Sequence, residues 1–252
     1  MRKLAVIGAV LAVALAALGG VALAKNFEGT AGNDTITGTN RPDGEWGEEG
    51  DDHLIGLDGN DYLEGDQGGD HIDAGLGADL AIGGSGDDHV QLGGGNDVTY
   101  AGPGGDEVLG EAGNDVILGQ LGNDRLYGGP DDDRLYTGGG VDYADGGSGS
   151  DQLFASGGIA ELVGGLNNDA IRAQAGRFNA NGGPGKDDIR LGSGPDRATG
   201  GNGHDKISSG AGDDTIDVDD GQRDDVQCGA GTDTVVADRH DVLVDCEKVT
   251  RH

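Results

Sequence analysis

Large apolar and aromatic side chains are scarce in this chain. Aromatic residues make up only 4% of its 252 residues, and the chain contains one Trp, three Phe and a single Met. A conventional globular domain of this length buries many more such side chains to offset the conformational entropy lost on folding. The composition therefore excludes an ordinary globule. It leaves an acidic disordered chain, or a repeat fold whose turns are formed by regularly placed glycines.

Basic residues are also few. Lys and Arg together number 16 against 47 Asp and Glu, which gives a formal net charge of −31 at pH 7. A chain this acidic repels phosphate backbones and anionic membrane surfaces. We therefore expect cations as its partners and no binding of nucleic acid.

Long apolar runs are missing except at the start of the chain. Arg2 and Lys3 precede an uncharged run from Leu4 to Leu18, and residues 22–24 form an Ala-Leu-Ala cleavage motif. This order predicts a signal peptide over 1–24. The alternative is an uncleaved anchor, although the run is shorter than the roughly 18 residues usual for a membrane span. We expect a secreted, extracellular protein with no membrane span in the mature chain.

Cysteine occurs only twice, at Cys228 and Cys246, which are 18 residues apart. In an exported protein such a pair can remain oxidised. The alternative is a metal-binding thiol pair, but it has no partner cysteines or suitably spaced histidines nearby. The sequence favours a disulfide.

Glycine and aspartate are abundant, and they recur with a period of nine residues. Glycine supplies 55 residues. From Gly29 the pattern runs without insertion to Asp217, which makes 21 units, and the sixth position is Asp in 19 of them. After a one-residue insertion, placed at Val218, two further units carry Asp224 and Asp233 at that position. A repeat architecture follows from this regularity.

The residue types at each position predict a cation site in every turn. Glycines at positions one, two and four allow the backbone to turn tightly with its carbonyl groups directed inward. Asp at position six adds a carboxylate beside those carbonyls, and oxygen ligands on flexible backbone suit Ca²⁺ better than Mg²⁺. The candidate calcium ligands are the side chains of Asp34, Asp52, Asp61, Asp70, Asp79, Asp88, Asp97, Asp106, Asp115, Asp124, Asp133, Asp142, Asp151, Asp169, Asp187, Asp196, Asp205, Asp214, Asp224 and Asp233.

Positions seven to nine predict a three-residue strand whose central side chain points inward. The centre is apolar in most units, as at Leu54, Leu63 and Ile72. The second unit departs from the pattern because Arg41 replaces a turn glycine and Glu45 stands at the core position. We expect this unit to be either a loosened N-terminal coil or a capping feature.

The repeat resembles a known family. Residues 83–90 read Gly-Gly-Ser-Gly-Asp-Asp-His-Val, and residues 200–207 read Gly-Gly-Asn-Gly-His-Asp-Lys-Ile. Both are similar to the Gly-Gly-x-Gly-x-Asp-x-apolar-x pattern of hemolysin-type calcium-binding repeats, and the resemblance covers residues 29–236. It implies an all-β fold, a parallel β-roll or β-solenoid in which two nonapeptides form one 18-residue coil. It also implies multiple Ca²⁺ ions in the turns along both edges.

The repeat pattern and the two ends of the chain predict three segments. The signal peptide is followed by a nonapeptide-repeat β-roll over 25–236 and by a C-terminal cap over 237–252. Cys228 and Cys246 lie one coil apart, so their backbones should approach within disulfide range. A solenoid needs such a cap to cover its open end.

Odd and even units should lie on opposite edges. The two units without Asp at position six carry Ala160 and Phe178, and both are odd. We expect a calcium gap on that edge, filled by Phe178, while Asp169 keeps the opposite edge intact. The alternative is random loss of two sites, which predicts the same missing ions.

Two further sets of residues each form a row in this arrangement, one on the odd units and one on the even units. His53, His71 and His89 are spaced by 18 residues and should stack, either as a solvated ladder or as a site where a transition metal bridges two imidazoles. Tyr100, Leu118, Tyr136 and Phe154 form a second row. It predicts either a strip that binds a protein or surface partner or cross-strand pairs that stiffen the sheet.

The sequence lacks the common catalytic motifs. It contains no His-Glu-x-x-His, no Gly-x-Ser-x-Gly and no phosphate-binding loop with Lys. We therefore expect a calcium-binding structural or adhesive module that folds on binding Ca²⁺, and not an enzyme. The alternative is a secreted accessory domain or enzyme with an unrecognised activity.

Overall fold

The computed structural model of this protein describes residues 24–252. The predicted signal peptide, 1–24, lies outside the described residues except for Ala24. The chain divides into two compact units, one ending at Ile117 and one running from Leu118 to His252. In the part that the structure describes, every regular element is a β-strand. No described segment is a helix that is long and apolar enough to span a membrane.

The first unit contains ten short strands joined by glycine-rich turns. Their bounds are β1 Asn26–Glu28, β2 Thr35–Thr37, β3 Gly44–Glu49, β4 His53–Ile55, β5 Tyr62–Gln67, β6 His71–Asp73, β7 Leu80–Ser85, β8 His89–Gln91, β9 Val98–Gly104 and β10 Glu107–Leu109.

The next strand, β11, covers Val116–Gly122 and begins at the end of the first unit. The strands of the second unit are β12 Arg125–Pro130, β13 Arg134–Tyr136, β14 Gly139–Ser148, β15 Gln152–Ala155, β16 Ile159–Leu166, β17 Ala170–Ala173, β18 Arg177–Asn181, β19 Asp188–Arg190, β20 Arg197–Thr199, β21 Lys206–Ala211, β22 Thr215–Val218, β23 Asp225–Ala230, β24 Thr234–Ala237, β25 Val242–Val244 and β26 Lys248–Arg251.

Each strand of the first unit pairs in parallel with the strand 18 residues away. Strand β4 pairs with β6 so that His53 lies beside His71, and β5 pairs with β7 so that Tyr62 lies beside Leu80. Strands from odd repeats form one sheet and strands from even repeats form the other, as the two-repeat coil requires. The predicted parallel β-solenoid with two nonapeptides per coil is confirmed.

The core of the first unit lies between its two sheets and is made by position eight of the repeats. Leu54, Ile72 and Val90 from one sheet and Leu63 and Ala81 from the other are fully buried. Their neighbours in sequence point outward because successive side chains of a strand alternate between its two faces. The nine-residue period therefore places the side chain at position eight of each repeat in the core.

Strand length differs between the two sheets of the first unit. The odd repeats form the predicted three-residue strands, whereas the ladder of the even repeats continues into the turn through Glu48, Asp66 and Gly84. These three residues all have positive φ, at 80°, 77° and 115°. Glycine favours this conformation, and at Glu48 and Asp66 the regular ladder holds a larger residue in it.

The second unit repeats this architecture and contains the predicted insertion. Leu135 pairs with Leu153 at the usual spacing of 18, whereas Thr215 pairs with Thr234 at a spacing of 19. The insertion does not lie at Val218, because this side chain is buried and lies beside Gly200, at position one of its repeat. The extra residue lies in the turn that follows.

The last residues of the second unit continue the solenoid. Strand β25 pairs with β23, and β26 pairs with β24, so the chain end adds one more coil. The disulfide between Cys228 and Cys246 is present, with a Cα–Cα distance of 5.2 Å. Cys228 is fully buried in the core. The disulfide thus links the final coil to the one before it.

Candidate metal sites

The aspartates at position six lie in the turns with their side chains buried. Exposure of the whole residue is 0% at Asp61 and reaches only 4% at Asp142 and Asp196. Asp34, in the first repeat, is half-buried. The repeat therefore takes an ionisable side chain out of water in nearly every turn, which is unfavourable for a carboxylate without a partner.

In most of these aspartates one carboxylate oxygen belongs to a hydrogen-bonded ladder that follows the coils. The backbone N–H of Asp52 donates to Asp70 Oδ1 at 2.8 Å, and the N–H of Asp70 donates to Asp88 Oδ1 at 2.8 Å. In the second unit the N–H of Asp151 donates to Asp169 Oδ1 at 2.8 Å. The ladder fixes the rotamer of each aspartate and holds its second oxygen in the turn interior.

In fifteen of these aspartates the second carboxylate oxygen is buried without a hydrogen-bond partner. A buried polar group is normally paired, because desolvation of an unpaired carboxylate costs at least several kcal/mol. This property belongs to the Oδ2 atoms of Asp52, Asp61, Asp70, Asp79, Asp88, Asp97, Asp142, Asp151, Asp169, Asp187, Asp196, Asp205, Asp214, Asp224 and Asp233.

Glycine at position one lets a backbone carbonyl group come close to this oxygen. A Cβ atom built on Gly164 would lie 2.6 Å from Asp169 Oδ2 and 2.6 Å from the carbonyl oxygen of Gly182, in the next coil, so a larger residue would collide with both oxygens. The carboxylate and the carbonyl of the next coil therefore flank the same glycine. Leu92 and Leu191 stand at position one of other repeats and are buried there.

Burial raises the pKa of these carboxyl groups strongly. Desolvation is the main cause at Asp79, whose pKa rises to about 8, and at Asp88 and Asp169, whose pKa rises to about 7. Repulsion from the aspartates one coil away raises the pKa further. Near neutral pH, binding of either protons or a metal cation to these carboxylates would therefore stabilise the turns.

The donor set fits calcium. In the described part of the chain, no three His, Cys, Asp or Glu side chains converge as a metal-binding group. A cation in these turns would therefore take one or two carboxylate oxygens and draw its remaining ligands from backbone carbonyls. Ca²⁺ accepts six to eight oxygens in flexible geometry, whereas Mg²⁺ requires a near-ideal octahedron. When bound, the ion would supply the positive charge that the buried carboxylates lack.

Three acidic residues outside the predicted set take part in the same ladder. The N–H of Asp43 donates to Asp61 Oδ1 at 2.7 Å, and Asp43 is fully buried. At the other end, Asp241 Oδ1 accepts from the N–H of Asp224, and Glu247 Oε2 accepts from the N–H of Asp233. Asp43 does stand at position six, so the nine-residue phase could have identified it. The other two lie outside that phase.

The second repeat is not a loosened coil. Its strand β3 pairs with both β1 and β5, and Asp43 and Glu45 are both fully buried. Glu45 lies in the column of core side chains, where its neighbours in register are Phe27 and Leu63. The structure thus keeps a carboxylate at a position that is apolar in most other repeats.

The ladder is interrupted where the sequence lacks aspartate. Ala160 and Phe178 are both buried, and the N–H of Phe178 donates to Asp196 Oδ1 at 2.8 Å. A Cβ built on Gly176 would lie 2.7 Å from Cζ of Phe178. In other repeats the corresponding glycine faces the aspartate, as Gly203 faces Asp205. The phenyl ring therefore fills the turn in place of a carboxylate.

The three histidines form a row on the outer face of the first unit, in which His53 meets His71 edge to face and His71 stacks on His89. The ring centroids of His53 and His71 are 4.7 Å apart, and those of His71 and His89 are 4.9 Å apart. His89 Nδ1 lies 3.1 Å from Glu107 Oε2, and its Nε2 lies 3.0 Å from the amide nitrogen of Gln91. The predicted alignment is confirmed, and His89 has polar protein partners at both nitrogens.

The predicted apolar row differs between the units. In the second unit Tyr136 stacks on Phe154, with ring centroids 4.7 Å apart, and Tyr136 is partly exposed. In the first unit Tyr100 packs against a cluster around Tyr62 and Leu80. An exposed aromatic pair therefore exists in the second unit, whereas Tyr100 contributes to packing.

Comparison with known proteins agrees with this geometry. A search of the curated proteins finds no match. The family model of the RTX calcium-binding nonapeptide repeat matches more than half of the chain, at residues 26–40, 46–81, 73–108, 100–135, 109–144, 118–153, 127–160 and 181–216. The chain therefore belongs to the family of RTX calcium-binding nonapeptide-repeat proteins.

Proposed function

We propose that this protein is a secreted calcium-binding β-roll, not an enzyme, that folds when Ca²⁺ fills its turns and then serves as a structural or adhesive extracellular module. One observation carries the proposal: fifteen position-six carboxylates, those of Asp61 and Asp169 among them, are buried with one oxygen that has no hydrogen-bond partner. Without a cation these charges repel one another, and the many glycines favour the unfolded chain. Binding free energy then becomes folding free energy.

We assign the calcium ligands to the position-six aspartates that the sequence predicts, together with Asp43. Asp43 shares the burial and the ladder contact of the others. A ligand role for the carbonyl oxygens at position one is supported by their approach to the aspartate carboxylates, as the carbonyl of Gly182 and Asp169 flank Gly164. Extracellular calcium modules have dissociation constants of about 10⁻⁴–10⁻³ M, and coils that share ligands should fill cooperatively.

Secretion suits both the folding step and the disulfide. Millimolar calcium outside the cell would drive folding, whereas the low calcium of the cytoplasm would leave the chain unfolded before export. A disulfide such as Cys228–Cys246 is stable in an oxidising compartment. These features support a division into a signal peptide over 1–24, a β-roll over 25–236 and a cap over 237–252.

A calcium titration followed by circular dichroism tests the folding step. In excess chelator we expect the spectrum of a disordered chain, and added Ca²⁺ should produce β-structure in a cooperative transition. A parallel titration with Mg²⁺ is the control, and it should leave the chain largely disordered at the same concentrations. A β-spectrum that persists unchanged in chelator would overturn the proposal.

The adhesive role rests on the aromatic pair of the second unit. Tyr136 and Phe154 present a stacked, partly exposed surface, and Leu118 precedes them in the same row of the repeat. Replacing both aromatic residues by Ser should abolish capture of a protein or surface partner from culture medium, yet leave the calcium-induced folding transition in place. Loss of folding in the double variant would instead assign the pair to sheet stability.

A further inference from the structure

The second repeat contains an acidic side chain whose burial the aspartate ladder does not explain. Glu45 is 0% exposed, and neither of its carboxylate oxygens has a hydrogen-bond partner. Among the described residues, no Lys, Arg or His side chain forms an ion pair with it. A carboxylate in this position must either be neutral or have a cation beside it, because an isolated buried charge is strongly unfavourable.

The carboxylate of Glu45 is directed into the turn of its own repeat. A Cβ built on Gly38, at position one, would contact Glu45 Oε1 and would lie 2.9 Å from the carbonyl oxygen of Gly56 and 3.4 Å from Asp43 Oδ2. In other repeats, as at Gly164, an aspartate oxygen and the carbonyl of the next coil flank the glycine at position one. Here a glutamate from the strand also reaches this glycine.

The carboxylate of the neighbouring Asp43 lies near the same glycine and has one oxygen without a partner. Asp43 Oδ2 accepts hydrogen bonds from the N–H of Thr39 at 2.7 Å and from its hydroxyl at 2.5 Å. Its Oδ1 is buried and has no hydrogen-bond partner. The carboxylates of Asp43 and Glu45, which together have three unpartnered oxygens, therefore meet at Gly38 beside the carbonyl oxygen of Gly56.

We propose that Glu45 is a calcium ligand, and that Glu45, Asp43 and the Gly56 carbonyl form a site with two carboxylates from a single repeat. This inference rests on the proposed calcium function of the turns and adds a ligand that the nonapeptide pattern lacks. Two carboxylates balance the charge of one divalent ion within the repeat. Because affinity for Ca²⁺ rises with the number of charged ligands, this site should fill before the ordinary turns.

The competing explanation is that Glu45 stays protonated. Desolvation, followed by repulsion from Asp61 and Asp43, raises its pKa to about 8. A neutral glutamic acid would then be a tolerated core residue with no role in ion binding. The two explanations differ in what happens when the charge is removed and the size is kept, as in Glu45→Gln.

Trp46 provides a probe of this particular site. It is the single tryptophan of the chain and follows Glu45 directly. Tb³⁺ has nearly the radius of Ca²⁺ and becomes luminescent when it lies close to an excited tryptophan. Excitation of Trp46 in the full chain, titrated with Tb³⁺, should therefore report the ion at the second repeat before ions in distant turns.

The test compares the wild-type chain with Glu45→Gln and with Glu49→Gln, a matched variant of an exposed glutamate on the same strand. We expect Glu45→Gln to weaken the tryptophan-sensitised Tb³⁺ binding about tenfold or more and to lower the number of Ca²⁺ ions bound by one. Glu49→Gln should leave both unchanged. Glu45→Leu, which introduces the residue found at Leu63 in the same column, covers the case in which the amide impairs folding.

Three outcomes are distinguishable. If the wild-type chain neither binds Ca²⁺ nor folds with it, the proposed function itself fails. If it does both, but Glu45→Gln and Glu45→Leu keep the wild-type ion count and Tb³⁺ affinity, Glu45 is a protonated core residue and this inference is overturned. If both variants lose the early, tryptophan-sensitised ion and still fold with Ca²⁺, the inference is supported.

Discussion

The second and seventeenth repeats depart from the nonapeptide pattern in opposite directions. Glu45 adds a carboxylate to the core, whereas Phe178 removes one from a turn, and both side chains are buried. Both positions also lie outside the segments that the family model matches. The comparison shows two physical ways to fill the interior of a β-roll turn: charged oxygen atoms that require a cation, and an apolar ring that requires none.

The largest effect in this comparison should come from removing the ring. Phe178→Ala would leave a cavity in a turn that has no carboxylate, and the free energy of unfolding should fall by about 3–5 kcal/mol. Because no ion is expected there, the loss should be the same at moderate and at high calcium. Urea unfolding at both calcium concentrations measures it. A loss that shrinks as calcium rises would place an ion at this turn.

Removing a carboxylate from an intact turn should have a smaller effect that depends on calcium. Asp169→Ala deletes a proposed ligand and leaves the buried N–H of Asp151 without its acceptor, which costs about 1–3 kcal/mol at saturating calcium. The number of bound ions should also fall. Glu161→Ala, at an exposed acid on β16, is the control and should alter neither quantity. An unchanged ion count in Asp169→Ala would remove this residue from the ligand set.

Experiments at different pH values should distinguish proton binding from calcium binding at the buried carboxylates. In the calcium-free fold the pKa of Asp79 rises from 3.8 to about 8 and that of Asp88 rises from 3.8 to about 7. At pH values above 3.8 and below these raised pKa values, the fold therefore binds more protons than the unfolded chain. Its stability must therefore fall as the pH rises toward 8 and increase as the pH falls toward 4. In chelator, β-structure should be greater at pH 5 than at pH 8.

Calcium binding to the protonated fold should release protons. At pH 5 the folded chain holds protons on carboxyl groups such as those of Asp79 and Asp88, and Ca²⁺ must displace them, so adding Ca²⁺ at this pH should release protons into solution. At pH 8, where the carboxylates of the unfolded chain are already ionised, little release is expected. Proton release on addition of Ca²⁺ in weak buffer measures it, and Ca²⁺ binding without proton release at pH 5 would show that the buried carboxylates are not the ligands.

The smallest effect is expected from restoring an aspartate in the gap. Ala160→Asp would return an acceptor to the ladder and should change stability by only about 1 kcal/mol at saturating calcium. As calcium is lowered, the added buried charge should make the variant progressively less stable than the wild type. The same urea experiment checks it. A constant difference at all calcium concentrations would indicate that the new carboxylate binds no ion.

Much of this fold could be predicted from the sequence because a single period determines it. The nine-residue phase places Leu54 and Leu63 in the core and pairs residues 18 apart, and the structure has both features. The disulfide followed from the same coil length. Such predictions succeed because each coil contacts only its neighbours, so a local rule is sufficient.

The remaining features could not be read from the period. Glu45 appeared as an exception to the core pattern, and only the structure shows its carboxylate beside Gly38. Asp241 and Glu247 come after the spacing of the repeat changes at the chain end, so the nine-residue phase could not predict that they join the ladder. The prediction placed the extra residue at Val218, whereas the structure has it in the turn that follows, because several alignments of this short turn satisfy the same period.

Amide hydrogen exchange with and without calcium tests most directly whether ions in the buried turns fold this protein. In calcium, the N–H groups of the aspartate ladder, such as those of Asp70 and Asp151, should be strongly protected in peptides from both units. In excess chelator near pH 8 the same peptides should exchange at the rate of an unfolded chain. Equal protection in calcium and in chelator would contradict the proposal that calcium holds these turns together.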